Sequence, residues 1–419
     1  MPQDVCEVLF RLAKEAPGQT VTITLGGRPI HVVQSMDAAR HVVVANIANY
    51  QKLMHLTRQV LGPSRLTEDG DEWRVMYRTT QPALSNFNVQ MVREVAYKWI
   101  SSLTDDLKQR SAAAPVPIEL SALNQMAAEV MSETILQRPL SDIGPGCVED
   151  VSFLLHYIHL LTSFGEGATT AIDKQETLNL SKVRRRWLQR MKDLKATVAP
   201  RDVLLHRMLE GGRSGAPAGD FGHAVLLLFA AGSDTTAGTV AWALYVLAGN
   251  AKLQNHLRAA LEPLWDDDEL DLGQANANET LMRFLAELLR LYPTVPLMTK
   301  IAQADDVVEG HIVKAGEAVM ISNIGIGRNP AKFDQPEEFR LDRMDRAGCP
   351  QDDTMPFSAG PRQCGGMKLA LQEIPIYIAV LLHHLKFALK SNESLETCWQ
   401  LTMHFANGIP VQASPVVRA

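Results

Sequence analysis

Apolar residues recur at three- and four-residue spacing over most of this chain, and that period leaves few folds open. It predicts helix over residues 71 to 110, 119 to 137, 149 to 163, 176 to 196, 221 to 249 and 279 to 291, each bounded by Gly, Pro or Asp. Strand signals are confined to three patches. Thr20 to Leu25 alternates threonine with Val21, Ile23 and Leu25, and Gly26-Gly27 turns it into Pro29 to Val33, a predicted hairpin. The second patch covers 301 to 322 and the third about 398 to 413. This order predicts a mainly α protein with small β-sheets (α+β), not an alternating βαβ wind. With 419 residues, 46% of them hydrophobic, one continuous core is within reach and dominant disorder is excluded. We expect a single domain over 1–419, β-rich at about 18–35, 295–325 and 398–413 and helical elsewhere.

Charge removes one class of function. Against 47 acidic residues stand 41 basic ones, a net charge of −6, which argues against nucleic-acid binding through phosphate contacts. The acidic run Asp266 to Asp271 and the basic run Arg184 to Arg186 read as solvated surface, and Gly211 to Gly219 as a loop tolerant of insertion. No basic segment followed by an apolar core opens the chain. The most apolar runs, Ala224 to Gly232 and Ile374 to Leu382, fall short of the roughly 20 residues that span a bilayer, so no membrane span and a cytoplasmic location are expected. The five cysteines are scattered without a C-x-x-C pair, which favours neither disulfides nor zinc and fits a reducing compartment.

One cysteine stands apart by its setting. Phe357 to Gly366 (FSAGPRQCGG) packs glycine and proline around Cys364 and then enters an apolar helix, Met367 to Leu382. A sulfur just before a helix N-terminus meets free N–H groups and the helix dipole, which favour a thiolate, and Arg362 adds positive charge. Cys6, Cys147, Cys349 and Cys398 read as small buried hydrophobes.

Phe357, Gly360, Arg362, Cys364 and Gly366 match every defined position of Phe-x-x-Gly-x-Arg/His-x-Cys-x-Gly, and by them the chain resembles the cytochrome P450 superfamily, as a soluble bacterial-type member. The resemblance implies a triangular helical body with a long central helix over haem b, iron protoporphyrin IX. It implies Cys364 as axial thiolate ligand of the haem iron, Phe357 shielding the sulfur and Arg362 reaching a propionate. Further landmarks agree with it. The long apolar helix of about Phe221 to Leu247 is interrupted by Ala231-Gly232-Ser233-Asp234-Thr235-Thr236, a cluster able to open a kink with a groove. It resembles the family's oxygen-binding motif, with Ala231 against the haem and Asp234 and Thr235 as the acid and alcohol that manage protons. Glu287 and Arg290, three apart on one helix, resemble the family's Glu-x-x-Arg, with Arg343 as third member of a structural triad. Trp73 is the implied propionate donor, joined by Tyr77 or its neighbour Arg78, and Lys300 stands where an arginine is usual.

Family substrate regions offer Leu227, Val295, Leu297, Met298 and Phe405 as apolar lining, hence a lipophilic substrate. The expected activity is a haem-thiolate monooxygenase inserting one atom of O2 into a small lipophilic molecule such as a terpenoid, polyketide or fatty acid. Desaturation, epoxidation or oxidative coupling by the same fold is the alternative, and a non-catalytic haem sensor or carrier the rival from another class. A fused reductase needs several hundred more residues, so separate partners are expected: a ferredoxin or flavodoxin with its NAD(P)H-dependent reductase. They dock where Arg74, Arg78, Arg346, Arg362 and Lys368 border the cysteine side.

Overall fold

A computed structural model describes residues 4–85, 87–164, 174–197, 220–343, 353–390 and 395–416. The Gly211 to Gly219 loop, Cys349 and Arg346 lie outside these residues. Helices begin where a short polar side chain accepts the first free N–H groups: Asp4 takes that of Cys6, Asn250 that of Leu253 and Asn278 that of Leu281. Asn88 caps Gln90 and Met91 in the same way, and this cap divides the predicted 71–110 segment into Gly70–Ser85 and Val89–Arg110. The predicted 119–137 segment is α-helical over Leu120–Met131, loosens into a π-helical turn at Ser132–Leu136 and stops at Gln137, whose φ is 55°. Cys147–Phe164, Lys174–Thr197 and Glu279–Leu291 fall where the spacing put them.

A mainly helical body thus carries small sheets at its side. The largest sheet orders its strands Val21–Leu25, Arg28–Val33, Ala318–Ser322, Leu297–Ala302 and Tyr50–Lys52. Its first pair is the expected hairpin, with Leu25 opposite Arg28 and Gly26 and Gly27 both at positive φ, as a two-residue turn of this hand requires. Tyr50–Lys52 was not legible as a strand. It adds antiparallel to Leu297–Ala302 and sets Lys52 directly opposite Lys300. Near the C-terminus Thr397–Gln400 and Thr402–Phe405 form a tight hairpin about Leu401.

The helix Asp220–Gly249 passes through the middle of the packing. Its first half, Val225 to Ala230, belongs to an apolar cluster with Cys147–Phe164 and Lys174–Thr197. Its second half, from Ala237, belongs to another with Phe284 to Leu289 and Ile374 to Leu382. Residues 231 to 236 fall at the seam between the two clusters. The expected interruption is absent, for the helix runs unbroken through Gly232. Ser233, Thr235 and Thr239 bond back to the carbonyls of Phe229, Ala231 and Thr235, and the bare backbone of Gly232 admits Met131, whose methyl group lies 1.9 Å from where a Cβ would stand. Among the described residues one helix, Gly222–Gly249, is long and apolar enough to cross a bilayer, but 78% of its most apolar window is buried in the protein.

Candidate active site

The cysteine loop owes its shape to backbone that bulky residues resist. Ser358 and Gly360 adopt φ of 60° and 68°, and a Cβ on Gly360 would lie 2.9 Å from the Val43 carbonyl oxygen. Gly360 therefore shapes the loop and does not line the cavity described below. The Cys364 N–H closes the turn on the Phe357 carbonyl at 2.9 Å, and Gly366 leads into the helix Met367–His384 without a capping side chain. The N–H groups of Gly366 and Met367 and the cation of Arg65 do draw the Cys364 thiol downward, but burial outweighs them and raises its pKa. The two N–H groups thus act in the direction expected of a helix terminus, and ligation of a metal would favour the deprotonated sulfur further. The nearby cation is Arg65, not Arg362, for a Cβ on Gly365 would stand 2.9 Å from the Arg65 guanidinium.

Cys364 opens onto a cavity of about 1170 Å³. Ala231, Gly232, Asp234 and Thr235 of the seam border the same space, as do Phe357, Arg362, Gly366, Trp73 and Lys300. Of the five apolar lining candidates, Leu227, Val295, Leu297 and Met298 reach it. Phe405 does not: its ring lies 4.2 Å from that of Trp242 in an aromatic cluster, and Trp399, Leu401 and Thr402 of its hairpin line the cavity in its place. Thr235 donates its hydroxyl proton to the Ala231 carbonyl at 2.6 Å, leaving oxygen lone pairs for acceptance. Asp234 is buried and accepts from Thr402 Oγ1 at 2.5 Å.

Charge on the cavity wall tests the site for a dianionic cofactor. Lys52 and Lys300 face each other across two strands, and like charges so placed repel. Burial lowers the pKa of both, Lys300 to about 8. With Arg65 and Arg362 they make four cations on the wall, and the carboxylate beside them is Asp69, which accepts the Lys52 N–H and pairs with Arg362. A haem carries two propionates, which fit this excess, and Trp73 stands under the Arg362 guanidinium at 3.9 Å. Neither proposed partner of Trp73 joins them. Tyr77 packs tilted against Trp73, ring centroids 5.0 Å apart, and lies under Arg65, while Arg78 is exposed, and neither lines the cavity. Lys52 and Arg65 take their place. Both were missed, because a lone lysine in a three-residue strand and an arginine in a loop carry no periodic signal.

The triad is assembled away from the cavity. Arg290 clamps Glu287 with two bonds of 2.7 Å, and Arg343 Nε reaches the same carboxylate at 3.2 Å. Arg290 also donates to the carbonyls of Gly327, Pro336 and Glu338, so the fully buried pair ties its helix to the chain that leads toward the cysteine loop. A second buried carboxyl went unnoticed in the sequence: Glu373 accepts from Thr236 and Tyr377, and burial pushes its pKa up to about 7.

A helical body whose cysteine loop opens on a cation-rimmed cavity beneath a long central helix is the architecture of a haem-thiolate protein. The profile described as Cytochrome P450 matches residues 3–409, and the chain belongs to that family, whose members hold haem b through a cysteine thiolate. It is similar to cytochrome P450 4c3 of Drosophila melanogaster, 31% identical over 192 residues, 44% of this chain and 36% of that protein. It is also similar to the chloroplastic carotene epsilon-monooxygenase of Arabidopsis thaliana, 28% over 197 residues, 45% of this chain and 36% of the relative. The flavonoid 3'-monooxygenase of Petunia hybrida is 30% identical over 213 residues, 46% and 41% of the two chains. The chain thus spans well under half the length of these relatives. They are eukaryotic, so they lend no support to the bacterial-type expectation.

Proposed function

We propose that the chain is a haem-thiolate monooxygenase that places one atom of O2 into a small lipophilic substrate, and that Cys364 is its metal ligand. The observation that carries this reading is the sharing of one cavity by Cys364, the Asp234-Thr235 pair and an apolar wall. Thiolate-bound haem supplies O–O cleavage and oxidation of unactivated C–H bonds. The chain's own residues do the rest. Lys52, Lys300, Arg362 and Trp73 would hold the haem propionates, and Ala231 would border the haem. Thr235 offers a fixed acceptor oxygen, Asp234 presents a carboxylate to the same cavity through which protons can pass, and Leu227, Val295, Leu297 and Met298 exclude water and take the substrate. Hydroxylation is the expected outcome, and the acid-alcohol pair favours it over a sensor or carrier, which has no use for delivered protons.

As the electron donor we take a small acidic ferredoxin or flavodoxin. Exposed Arg78 and Lys368 support this choice; Lys368 also donates to the Ser85 carbonyl, which joins its helix to that of Arg78. Arg362 does not belong to the docking face, since Asp69 and the Glu68 carbonyl hold it beside the cavity. We take the setting to be reducing and cytoplasmic, in keeping with the free cysteines Cys6, Cys147 and Cys364.

The test combines spectroscopy and product analysis. The reduced carbon monoxide complex should show the thiolate-type Soret shift and Cys364→Ala should lose it. With reductase partners, reductant and 18O2, a compound that displaces the iron-bound water should return one labelled oxygen. A thiolate spectrum in Cys364→Ala, or bound lipophiles recovered unchanged under turnover, overturns the reading.

A further inference from the structure

Asp234 is not left to itself at the seam of the central helix. We propose that Thr402 and His404, on the C-terminal hairpin, position its carboxylate and feed it protons, with His159 and His156 continuing the route to the surface. This deepens the proposed role of Asp234 and rests on it.

The geometry fixes the direction of the bonds. Thr402 Oγ1 lies 2.5 Å from Asp234 Oδ2 and 2.6 Å from His404 Nε2, and His404 Nε2 lies 3.4 Å from Asp234 Oδ1. Thr402 has one proton, and a carboxylate can only accept it. The threonine oxygen is therefore the acceptor for His404, so Nε2 carries a hydrogen whether the ring is neutral or charged. All three side chains are buried, and the alternation of the strand Thr402–Phe405 puts 402 and 404 on one face of the hairpin, toward the helix. Thr402 and Asp234 line the cavity while His404 stands behind them.

A second imidazole lies within electrostatic reach of His404. His159, on the helix Cys147–Phe164, lines the cavity, is hydrogen-bonded to the backbone of Trp399 and feels the charge of His404. Its ring is 6.3 Å from that of His156, which is exposed. The titratable groups around His404 are Asp234 on the central helix, His159 on this neighbouring helix and Cys398, its partner across the hairpin; Asp4 acts on His159 and accepts the Trp399 N–H at 2.9 Å.

Transfer conserves protons and moves no electrons. The Thr402 hydroxyl proton passes to Asp234 Oδ2 as the Nε2 proton of His404 passes to Thr402 Oγ1. A proton arriving from the His159 side enters at Nδ1, which leaves His404 neutral with its tautomer exchanged. Return of the ring to Nε2–H resets the chain.

The experiment reads the network and its use separately. In the 15N-histidine-labelled holoprotein, reduced and bound to carbon monoxide so that the iron is diamagnetic, His404 should carry its proton on Nε2. Asp234→Asn, whose amide can donate to Thr402 and free the hydroxyl proton for the ring, should move that proton toward Nδ1. A bare Nε2 at neutral pH, or an unchanged 15N spectrum of His404 in Asp234→Asn, overturns the proposal. His404→Gln keeps a donor to Thr402 but cannot relay, so its carbon monoxide spectrum should stay native, its product per reductant should fall about tenfold and its solvent isotope effect should rise. Native coupling and isotope effect in His404→Gln, with Asp234→Asn uncoupled, overturn the relay and leave the role of Asp234 standing. Native coupling in Asp234→Asn overturns both.

Discussion

Lys300 shows how much one side chain can disclose about what a cavity is built to hold. Its ammonium is buried opposite Lys52, and its pKa falls from 10.5 to about 8 because burial penalises the charge. Below about pH 8 the folded protein without haem must bear that charge, at a cost of about 3 kcal/mol. Between pH 8 and 10.5 the unfolded chain binds a proton that the folded chain does not, so stability rises with pH across this window. A propionate beside the ammonium favours its charged form and removes the slope. Denaturant titrations should thus show haem-free protein gaining stability from about pH 8 to 10, holoprotein gaining little, and haem-free Lys300→Met gaining less than its parent, the remainder belonging to buried Lys52. The same slope in Lys300→Met and in the parent assigns the effect elsewhere. Thr235 makes a second prediction at this scale. Thr235→Ala removes an acceptor oxygen but no charge or packing volume of note, so the carbon monoxide spectrum should be kept while reductant is diverted to peroxide. Product per reductant should drop on the order of tenfold, and undiminished coupling rejects the role given to the hydroxyl.

Elements meet at Glu287 and Arg290, where an ion pair withdrawn from water is held in place by five further bonds to its helix's neighbours. Breaking a buried pair from one side leaves an uncompensated charge, at about 3–5 kcal/mol. Glu287→Gln should consequently yield protein that accumulates poorly and retains little haem, measured as the ratio of Soret to protein absorbance; normal haem content would show that the pair is dispensable. Gly327→Ala should fail in a similar way, since its Cβ would stand 2.2 Å from the Arg290 carbonyl oxygen, a backbone atom that cannot turn aside. Elements of this kind were legible where a period or a cap wrote them: Glu279–Leu291 and the Val21–Val33 hairpin stand as the spacing placed them. Tyr50–Lys52 was not legible, because three residues make no pattern and their partner lies some 250 residues away along the chain. Phe405 was misplaced for a related reason. Its apolar character fitted a cavity wall as well as a core, and only the packing of its ring against Trp242 decides between them.

At the scale of the whole molecule, the two apolar clusters leave a seam on the central helix, and the cysteine loop is brought to that seam by contacts distant in sequence. The signature residues were readable because each must occupy a fixed place in one tight loop. The cation wall was not, because Lys52, Arg65, Lys300 and Arg362 come together only when strand, loop and cysteine turn close around one space. What faces outward follows from the same arrangement. Once Arg362 is committed to Asp69, the proposed docking of an acidic electron donor rests, among the described residues, on exposed Arg78 and Lys368. Exposed charges of this kind speed encounter and add little to the docked state, so their effect belongs in the donor's KM and not in kcat, and it fades as salt shortens the screening length. Lys368→Glu and Arg78→Glu should each raise the apparent KM for reduced ferredoxin roughly five- to tenfold at low ionic strength, with kcat at saturating donor unchanged. At ~0.5 M salt, where screening acts within a few ångströms, the variants and the parent should converge. A KM equal to that of the parent at low salt places the docking face elsewhere, and a fall in kcat that salt leaves untouched points to damage at the cysteine helix instead.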